Sequence, residues 1–364
     1  MSMPNKNQPL ISASEAILQA TQIAMQKDDK VFVMGEGVCD PKAIVNTTKG
    51  LIEEFGMERV IEMPTAENGL TGVAIGASIC GQKPILIHQR IEFALLAMEQ
   101  IINNAAKMHY VTNGVYHVPL VMRMIVGRGW GQGPQHSQTL ETLFAHIPGL
   151  KVAIPATARD AKGMMLSAIE DPNPVLFIEH RWFHYVTGYV PEGYFLEPLQ
   201  GCKILKKGKD ITLIASSYSV YEALLASEIC EKHNIQVEVI DLRMLRPLDL
   251  SVAQESIKKT GRLIFMDTGW KKYGASAEII TSLIETNFSD FKIAPIREGL
   301  PDHPTPSSKA LSAHYYPTAE NLICHISNAL QVSVEKQKAM IDDLYFKKPD
   351  LEADVPNSLF KGPF

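Results

Sequence analysis

The sequence predicts an α/β protein of two doubly wound domains with mainly parallel sheets. Three observations predict it. A chain of 364 residues is long enough for about two domains at roughly 150 residues each. Short apolar runs alternate with stretches whose apolar residues fall three and four apart, the pattern of parallel strands joined by covering helices. A Gly- and Pro-rich stretch with little periodicity (Gly188, Pro191, Gly193, Pro198, Gly201) divides the chain as a linker would. A mixed α+β arrangement is the alternative.

In chain order, a Ser12-x-x-Glu15 capping box opens a helix whose buried stripe includes Ile17, Ala20 and Ala24. Strands are expected at 31–34, 85–87, 119–122, 152–154 and 175–178, where β-branched and other apolar residues cluster between turn signals. A second set is expected at 211–215, 237–240 and 263–266. The expected organisation is a first domain over 10–187, a linker over 188–202, a second domain over 203–330 and an extension over 331–364. Within the extension, 331–346 reads as one amphipathic helix. The remainder, with Pro349, Pro356 and Pro363, reads as an extended arm ending in Leu359, Phe360 and Phe364.

Composition narrows the functional classes. Charged residues make up 21% and the net charge is -5 without a long basic run, which argues against nucleic acid or an acidic membrane surface as partner. Cys39, Cys80, Cys202, Cys230 and Cys324 form no Cys-x-x-Cys pair, so neither a zinc site nor a disulfide framework is expected. Met1 to Ser14 has no apolar core and no arginine, and no run reaches the roughly 18 apolar residues of a spanning helix. The expectation is a cytoplasmic protein with reduced thiols.

Several stretches carry chemistry-bearing residues. The run from Met34 to Asp40 (Met-Gly-Glu-Gly-Val-Cys-Asp) follows a strand, but Asp40 stands where a dinucleotide fingerprint needs its last glycine, and an acid there repels pyrophosphate. No Walker-type Gly-Lys-Ser/Thr is present. A helix beginning near Glu67 would set Gly69, Gly72 and Gly76 on one face, where each interior glycine costs about 1 kcal/mol relative to alanine. That cost implies that another backbone or a ligand approaches the face. Read alone, Glu67 is a carboxylate favoured by a helix N-terminus. The Gly-Arg-Gly-Trp-Gly-Gln-Gly run at 127–133 is either a mobile surface loop or a substrate-facing one, and His136 follows it closely. His180 and His184 lie four apart with no third metal ligand evident.

Taken in order, these segments resemble one family: the beta subunit of the thiamin-diphosphate-dependent first component of 2-oxo acid dehydrogenases. Pyruvate, branched-chain 2-oxo acid and acetoin dehydrogenases share it, and it is related to the pyrimidine-binding and C-terminal domains of transketolase. The likeness runs from about Ser12 to Leu330. Its carriers are Ala66-Glu-Asn-Gly69, the run from Gln100 to Lys107, Gln135-His-Ser-Gln138, Pro148-Gly-Leu-Lys-Val152 and Asp160-Ala-Lys-Gly163. Lys30-Val-Phe-Val-Met-Gly-Glu36, Asp241-Leu-Arg-Met-Leu-Arg-Pro247, Gly269-Trp270 with Gly274 to Glu278, and Asp302-x-Pro304-x-Pro306 complete the set.

The resemblance implies roles for named residues. Glu67 would be the carboxyl group that hydrogen-bonds the cofactor's pyrimidine ring nitrogen, Phe93 the aromatic stacked on that ring, and Glu36 an acid lying deeper beside it. His136 would be the active-site histidine, suited to moving a proton near neutral pH. In some members a monovalent cation, potassium, is held through backbone carbonyls; the matching positions are Leu120, Ala168, Ile169, Asp171 and Asn173. Missing is the Gly-Asp-Gly motif that holds the diphosphate and magnesium in the family's alpha subunit. The resemblance therefore implies an alpha partner, two alpha with two beta chains, an active site shared between them and a lipoyl acyltransferase as acceptor. Charges in His88-Gln-Arg-Ile-Glu92, where relatives are mostly uncharged, admit a second reading. In it a two-carbon unit passes to a sugar or other carbonyl without lipoamide. A non-catalytic scaffold subunit is the reading from another class.

Overall fold

The computed structural model describes residues 8–40, 42–127, 132–312 and 314–347. Two parallel-dominated sheets organise them. In the first, the spatial order is β12 (Met244–Arg246), β6 (Lys151–Ala153), β7 (Val175–His180), β5 (Val121–Val126), β4 (Lys83–His88), β2 (Val31–Gly35) and β3 (Val60–Glu62). All neighbours run parallel except β12 on β6. The second sheet runs β14 (Ile296–Leu300), β13 (Leu263–Trp270), β10 (Ile211–Ala215), β11 (Val237–Asp241) and β9 (Lys203–Lys206), with only β9 antiparallel. A small antiparallel pair joins β1 (Leu10–Ser12) to β8 (Thr187–Tyr189).

Every residue of β5, β7, β10 and β11 is buried, as strands covered by helices on both faces must be. On one face of the first sheet lie the helices Ala13–Lys27 and Ala158–Glu170, contributing Ile17, Ala20, Met164 and Met165 to the core. The helix Glu67–Ile79 and the turns over 91–106 cover the other face. This second core is continuous with Ile240, Leu263 and Phe265 of the second sheet and with Leu242 just after it. An unbroken apolar interior thus joins the two sheets, which keeps them from acting as independent bodies.

The expected strands all form, with shifted ends. The strand expected at 119–122 occupies Val121–Val126, because Pro119 has no N–H for a ladder. That expected at 263–266 continues to Trp270. Ser12 caps its helix, with its hydroxyl accepting from the Glu15 amide at 3.2 Å, but Glu15 turns to Gln19 rather than completing the box. The expected linker opens inside β8, and its later part is strapped to the first sheet's covering helix. There the Lys162 ammonium donates to the Pro191 carbonyl at 3.0 Å and the Ser167 hydroxyl to that of Glu197 at 2.7 Å. Strand β12 was not foreseen: a short piece of the C-terminal half crosses over to edge the first sheet.

The helix expected at 331–346 forms as Val334–Lys347 and buries Met340 and Leu344 in a third core, with Val220, Ile229, Val239, Leu322 and Ile326. It is pinned by His233 to Asp343 at 2.9 Å and by Tyr345 to Glu320 at 2.6 Å. This part of the extension therefore packs on the helices Ser219–Lys232 and Ala319–Ala329 that cover the second sheet. The arm expected beyond it lies outside the described residues.

Candidate active site

The predicted residues Glu36, Glu67, Phe93 and His136 follow the C-terminal ends of β2, β3, β4 and β5, the edge where open parallel sheets place ligands. Glu36 follows β2 on a tight turn. The carboxylate of Glu62, at the end of β3, accepts from the Gly37 amide at 2.6 Å and the Cys39 amide at 2.9 Å. Gly37 has a φ of 74° and lies against the Gln89 side chain, so a side chain there would be strained and crowded. The glycines around Glu36 thus serve a turn, in keeping with rejection of the dinucleotide fingerprint. Gln89 donates to the Glu36 carbonyl at 3.0 Å. Glu36 Oε1 is buried with no partner among the described residues. Burial, then the charges of Glu67 and Glu62, raises its proton affinity above the usual carboxylate range.

Glu67 is the first residue of the helix Glu67–Ile79 and is only 6% exposed. A carboxyl group so placed is desolvated yet favoured by the helix dipole. The glycine face of this helix departs from expectation. Among the described residues outside the helix's own backbone, none lies within 4 Å of where a Cβ would stand on Gly69 or Gly76, and at Gly72 the Gln100 amide approaches at 3.4 Å. Beside it Val73 and Leu96 are exposed.

Phe93 lies on the short helix Ile91–Ala94, and its ring meets the His136 imidazole edge-on, with centroids 5.6 Å apart and an interplanar angle of 71°. The His136 Nδ1 is buried without a partner among the described residues. Its loop is braced from the 88–92 stretch. Arg90 Nη1 donates to the His136 carbonyl at 2.7 Å and Nη2 to Gln132 Oε1, while Glu92 accepts from the Gln138 amide at 2.7 Å. Burial raises the Glu92 carboxyl above its usual range, against the Gln138 amide, Arg90 and His136, which pull it down. The loop is closed at its base by Gly127, whose amide donates to the Gln138 carbonyl at 3.1 Å. With a φ of 86°, Gly127 lies where a side chain would collide with His180. The remaining glycine-rich positions 128–131 lie outside the described residues.

A cavity of about 540 Å³ opens here, lined by Phe93, His136, Arg90, Gln132, Arg181 and Ile125 among others. Glu36 adjoins it through Gly37, which lies on its wall. Its size suits a small-molecule ligand. Ile44 and Val45, also on the wall, hold positive φ values of 45° and 59°, backbone strain of the kind found at ligand sites.

Sequence reasoning missed Gln132, Arg181, Glu62 and the bracing role of Arg90 and Glu92. Only the unusual charges at 88–92 pointed toward them.

The expected cation positions sit at the opposite end of the same sheet. The Leu120 carbonyl accepts from the Val175 amide at 3.0 Å and the Ala168 carbonyl from the Asp171 amide at 3.3 Å. Asp171 is ion-paired to Lys151 and accepts from the Asn173 amide at 2.9 Å, while Asn173 Oδ1 is buried without a partner among the described residues. His184 is engaged elsewhere, 2.7 Å from Glu179. No group of three or more His, Cys, Asp or Glu able to hold a metal ion occurs among the described residues.

Comparison with known proteins places the two sheets' domains in a family. Residues 10–182 fit the transketolase pyrimidine binding domain and residues 200–322 the transketolase C-terminal domain. The mitochondrial pyruvate dehydrogenase E1 component subunit beta of Pisum sativum is 38% identical over 328 residues, covering 89% of this chain and 91% of that protein. The pyruvate dehydrogenase E1 component subunit beta of Rickettsia felis is 41% identical over 286 residues, covering 79% and 87%. Among solved structures, a split gene transketolase described as an inactive beta4 tetramer aligns with a TM-score of 0.69, covering 88% of this chain and 99% of that one. At 24% identity that likeness speaks to the fold alone. A transketolase-like pair of domains, an acid pair and a Phe–His pair at one sheet edge, and extended identity to these relatives lead to one conclusion: the chain belongs to the beta subunits of the thiamin-diphosphate-dependent 2-oxo acid dehydrogenase first component.

Proposed function

We propose that this chain is the pyrimidine-binding half of an enzyme that decarboxylates a 2-oxo acid, with pyruvate the first substrate to test. The observation that carries the reading is the meeting of Glu67 and Glu36 with Phe93 and His136 at the edge of the first sheet. These groups fit the pyrimidine half of thiamin diphosphate: a buried carboxyl group, a deeper acid with an unpartnered oxygen, an aromatic ring and an unpartnered imidazole nitrogen. When bound, the cofactor supplies a thiazolium carbon that becomes nucleophilic and takes up the electrons released by decarboxylation.

The chain's own residues then have separate tasks. Glu67 would hydrogen-bond the pyrimidine ring nitrogen and hold the exchangeable proton at its carboxyl oxygen. By holding its own proton longer than an exposed acid would, Glu36 avoids placing a second negative charge beside Glu67. Phe93 covers the ring and limits water. His136, held by Arg90 from one side and the Gln138–Glu92 bond from the other, donates or accepts a proton at the reacting group.

The charged half of the cofactor needs a partner. The sequence has no Gly-Asp-Gly motif, so diphosphate and magnesium belong in this reading to an alpha subunit, in an assembly of two alpha and two beta chains. The uncovered glycine face of Glu67–Ile79, with exposed Val73 and Leu96 beside it, supports a partner at that place. Lipoamide on an acyltransferase is the proposed acceptor. A potassium ion near Leu120, Ala168, Ile169, Asp171 and Asn173 is supported by the unpartnered Asn173 oxygen, with the Lys151–Asp171 pair as a competing charge. Five unpaired cysteines support a reducing compartment such as the cytoplasm. Among the described residues no helix is long and apolar enough to cross a membrane.

Co-expression with a neighbouring alpha-like chain tests the reading. Turnover of pyruvate, 2-oxobutyrate and branched 2-oxo acids should require both chains, thiamin diphosphate and magnesium, with a dye or a lipoyl domain as acceptor. Full turnover by this chain alone would overturn the shared site, and no turnover by the pair would overturn the activity.

A further inference from the structure

We propose that Glu141 is a positioning residue for His136, fastening the loop that carries the histidine to Asp267 of the second sheet through a pair of buried acids. This rests on the thiamin-diphosphate reading for what His136 does and goes beyond it by naming what holds the loop in place.

Glu141 stands five positions after His136. It is the first residue of the short helix Glu141–Ala145 and is 2% exposed, with Oε2 buried and unpartnered among the described residues. Asp267 lies on β13, a strand of the other sheet, and is equally buried. The two segments meet at Gly269, where a Cβ would stand 3.5 Å from the Thr139 carbonyl and 4.0 Å from the Asp267 carboxyl group. Ser137 in the same loop and Thr268 beside Asp267 each bury a hydroxyl without a partner among the described residues. The seam between loop and strand is therefore polar and enclosed.

The other charged groups on the elements packed here are engaged elsewhere or exposed. Arg246 of β12 donates to the Ala145 carbonyl at 3.0 Å, at the far end of the helix, and Lys151 of β6 pairs with Asp171. Glu92 accepts from the Gln138 amide at 2.7 Å, while His146 and Glu278 of the helix Ala275–Asn287 are exposed. Around Asp267, Glu298 of β14 pairs with His325, and Arg297 donates to the Ser276 hydroxyl at 3.0 Å.

Two buried acids without a counter-charge do not both ionise near neutral pH. Donors decide which one keeps the proton. Asp267 accepts from the Ser216 hydroxyl at 3.1 Å and the Gly269 amide at 3.4 Å, which favour its carboxylate although burial raises it. At Glu141, burial and then the charge of Asp267 raise the carboxyl group to about 8, with only its own amide opposing them. Glu141 therefore carries the proton, and as a neutral group it lets the loop stay against β13. Once ionised, it sets a second negative charge in the seam and pushes the His136 loop away.

The test uses the co-expressed complex with its cofactor. Between pH 7 and pH 9, kcat of the wild type should fall about 10-fold, following the share of a group with a pKa near 8 that stays protonated. Glu141→Gln is neutral throughout and should hold kcat nearly level over that range, with KM moving little in either protein. Equal falls in both, or no fall in the wild type, would overturn the proposal. Hydrogen exchange in peptides covering 132–140 reads the loop without turnover. Wild type and variant should match at pH 6, and at pH 9 the wild type should exchange faster by about 10-fold or more. With the intrinsic pH dependence removed, wild-type exchange should also accelerate above pH 8 in these peptides and not in those of β5, a comparison that stands even if the variant does not assemble. Exchange that shows no such break would overturn the positioning role whatever the turnover. A break near pH 8 in a complex that turns over no 2-oxo acid would uphold the latch and overturn only the decarboxylase reading.

Discussion

Glu179 and Glu36 are glutamates at the same edge of one parallel sheet, and they hold their protons in opposite ways. Glu179, near the end of β7, is fully buried, yet Arg123 grips both its oxygens at 2.5 and 2.9 Å and His184 adds a third contact at 2.7 Å. Burial alone would push it up, but these partners outweigh that and bring it to about 2. Glu36 follows β2 with one oxygen unpartnered and two other acids acting on it, and its proton affinity rises. Burial pushes both upward, though Glu179 is fully enclosed and Glu36 only half-buried. What differs is whether a cation is built in beside the carboxylate, and this separates an acid that holds the fold from one available to chemistry.

The largest effect should come from the functional side of this contrast. Replacing Glu67 with Gln keeps the shape and removes the exchangeable carboxyl proton. Turnover of the reconstituted pair should fall by roughly 10²- to 10⁴-fold with thermal stability retained. Undiminished turnover would show that Glu67 has no such role.

On the structural side, Glu179→Gln leaves the Arg123 charge buried without its counterion and should cost about 3–5 kcal/mol in chemical denaturation. Because the folded pKa of Glu179 is depressed, its stabilisation is present above the unfolded value of about 4.3 and is lost as pH falls toward 2. Wild type should therefore lose stability over that interval more steeply than the variant. Parallel curves would remove the distinction drawn between the two glutamates.

Asp241 sharpens the comparison from a third position. It is fully buried at the end of β11 with Oδ2 unpartnered among the described residues. Burial and then Asp160 raise it to about 8, against the pull of Arg243 and Lys203. Here the sign reverses. The native state retains a proton that the unfolded chain loses near pH 4, so this contribution is complete below that pH and declines as pH rises through 8. Asp241→Asn should flatten the decline and be more stable than wild type at pH 8 by about 1 kcal/mol or more, the worth of a single pKa unit. Equal slopes for the two proteins between pH 5 and 8 would contradict it.

Fold class and most strand positions were legible because a parallel strand buried on both faces must be continuously apolar, and that leaves a local mark at 31–34, 175–178 or 211–215. Strand β12 left none: Met244, Leu245 and Arg246 are three residues without periodicity, and only the meeting of the two sheets makes them an edge. Glu67, Phe93, His136 and Glu36 could be named from a family resemblance, whose ordered motifs survive in the linear chain. Their neighbours could not. Arg90 and Glu92 looked like departures from the family until the tertiary structure set them against the His136 loop. Arg181, 91 positions farther on, gained meaning only when Gln132 brought it beside Arg90.

The sequence by itself determined the alternation of elements, the family, and the absence of a Gly-Asp-Gly motif, because these depend on residue type and local order. Only the tertiary structure decided which acids carry a cation beside them, which face of Glu67–Ile79 is left uncovered, and how charge is arranged around the cavity. Those properties depend on distances between residues far apart in the chain, and proton affinity and ligand choice follow from distance and burial.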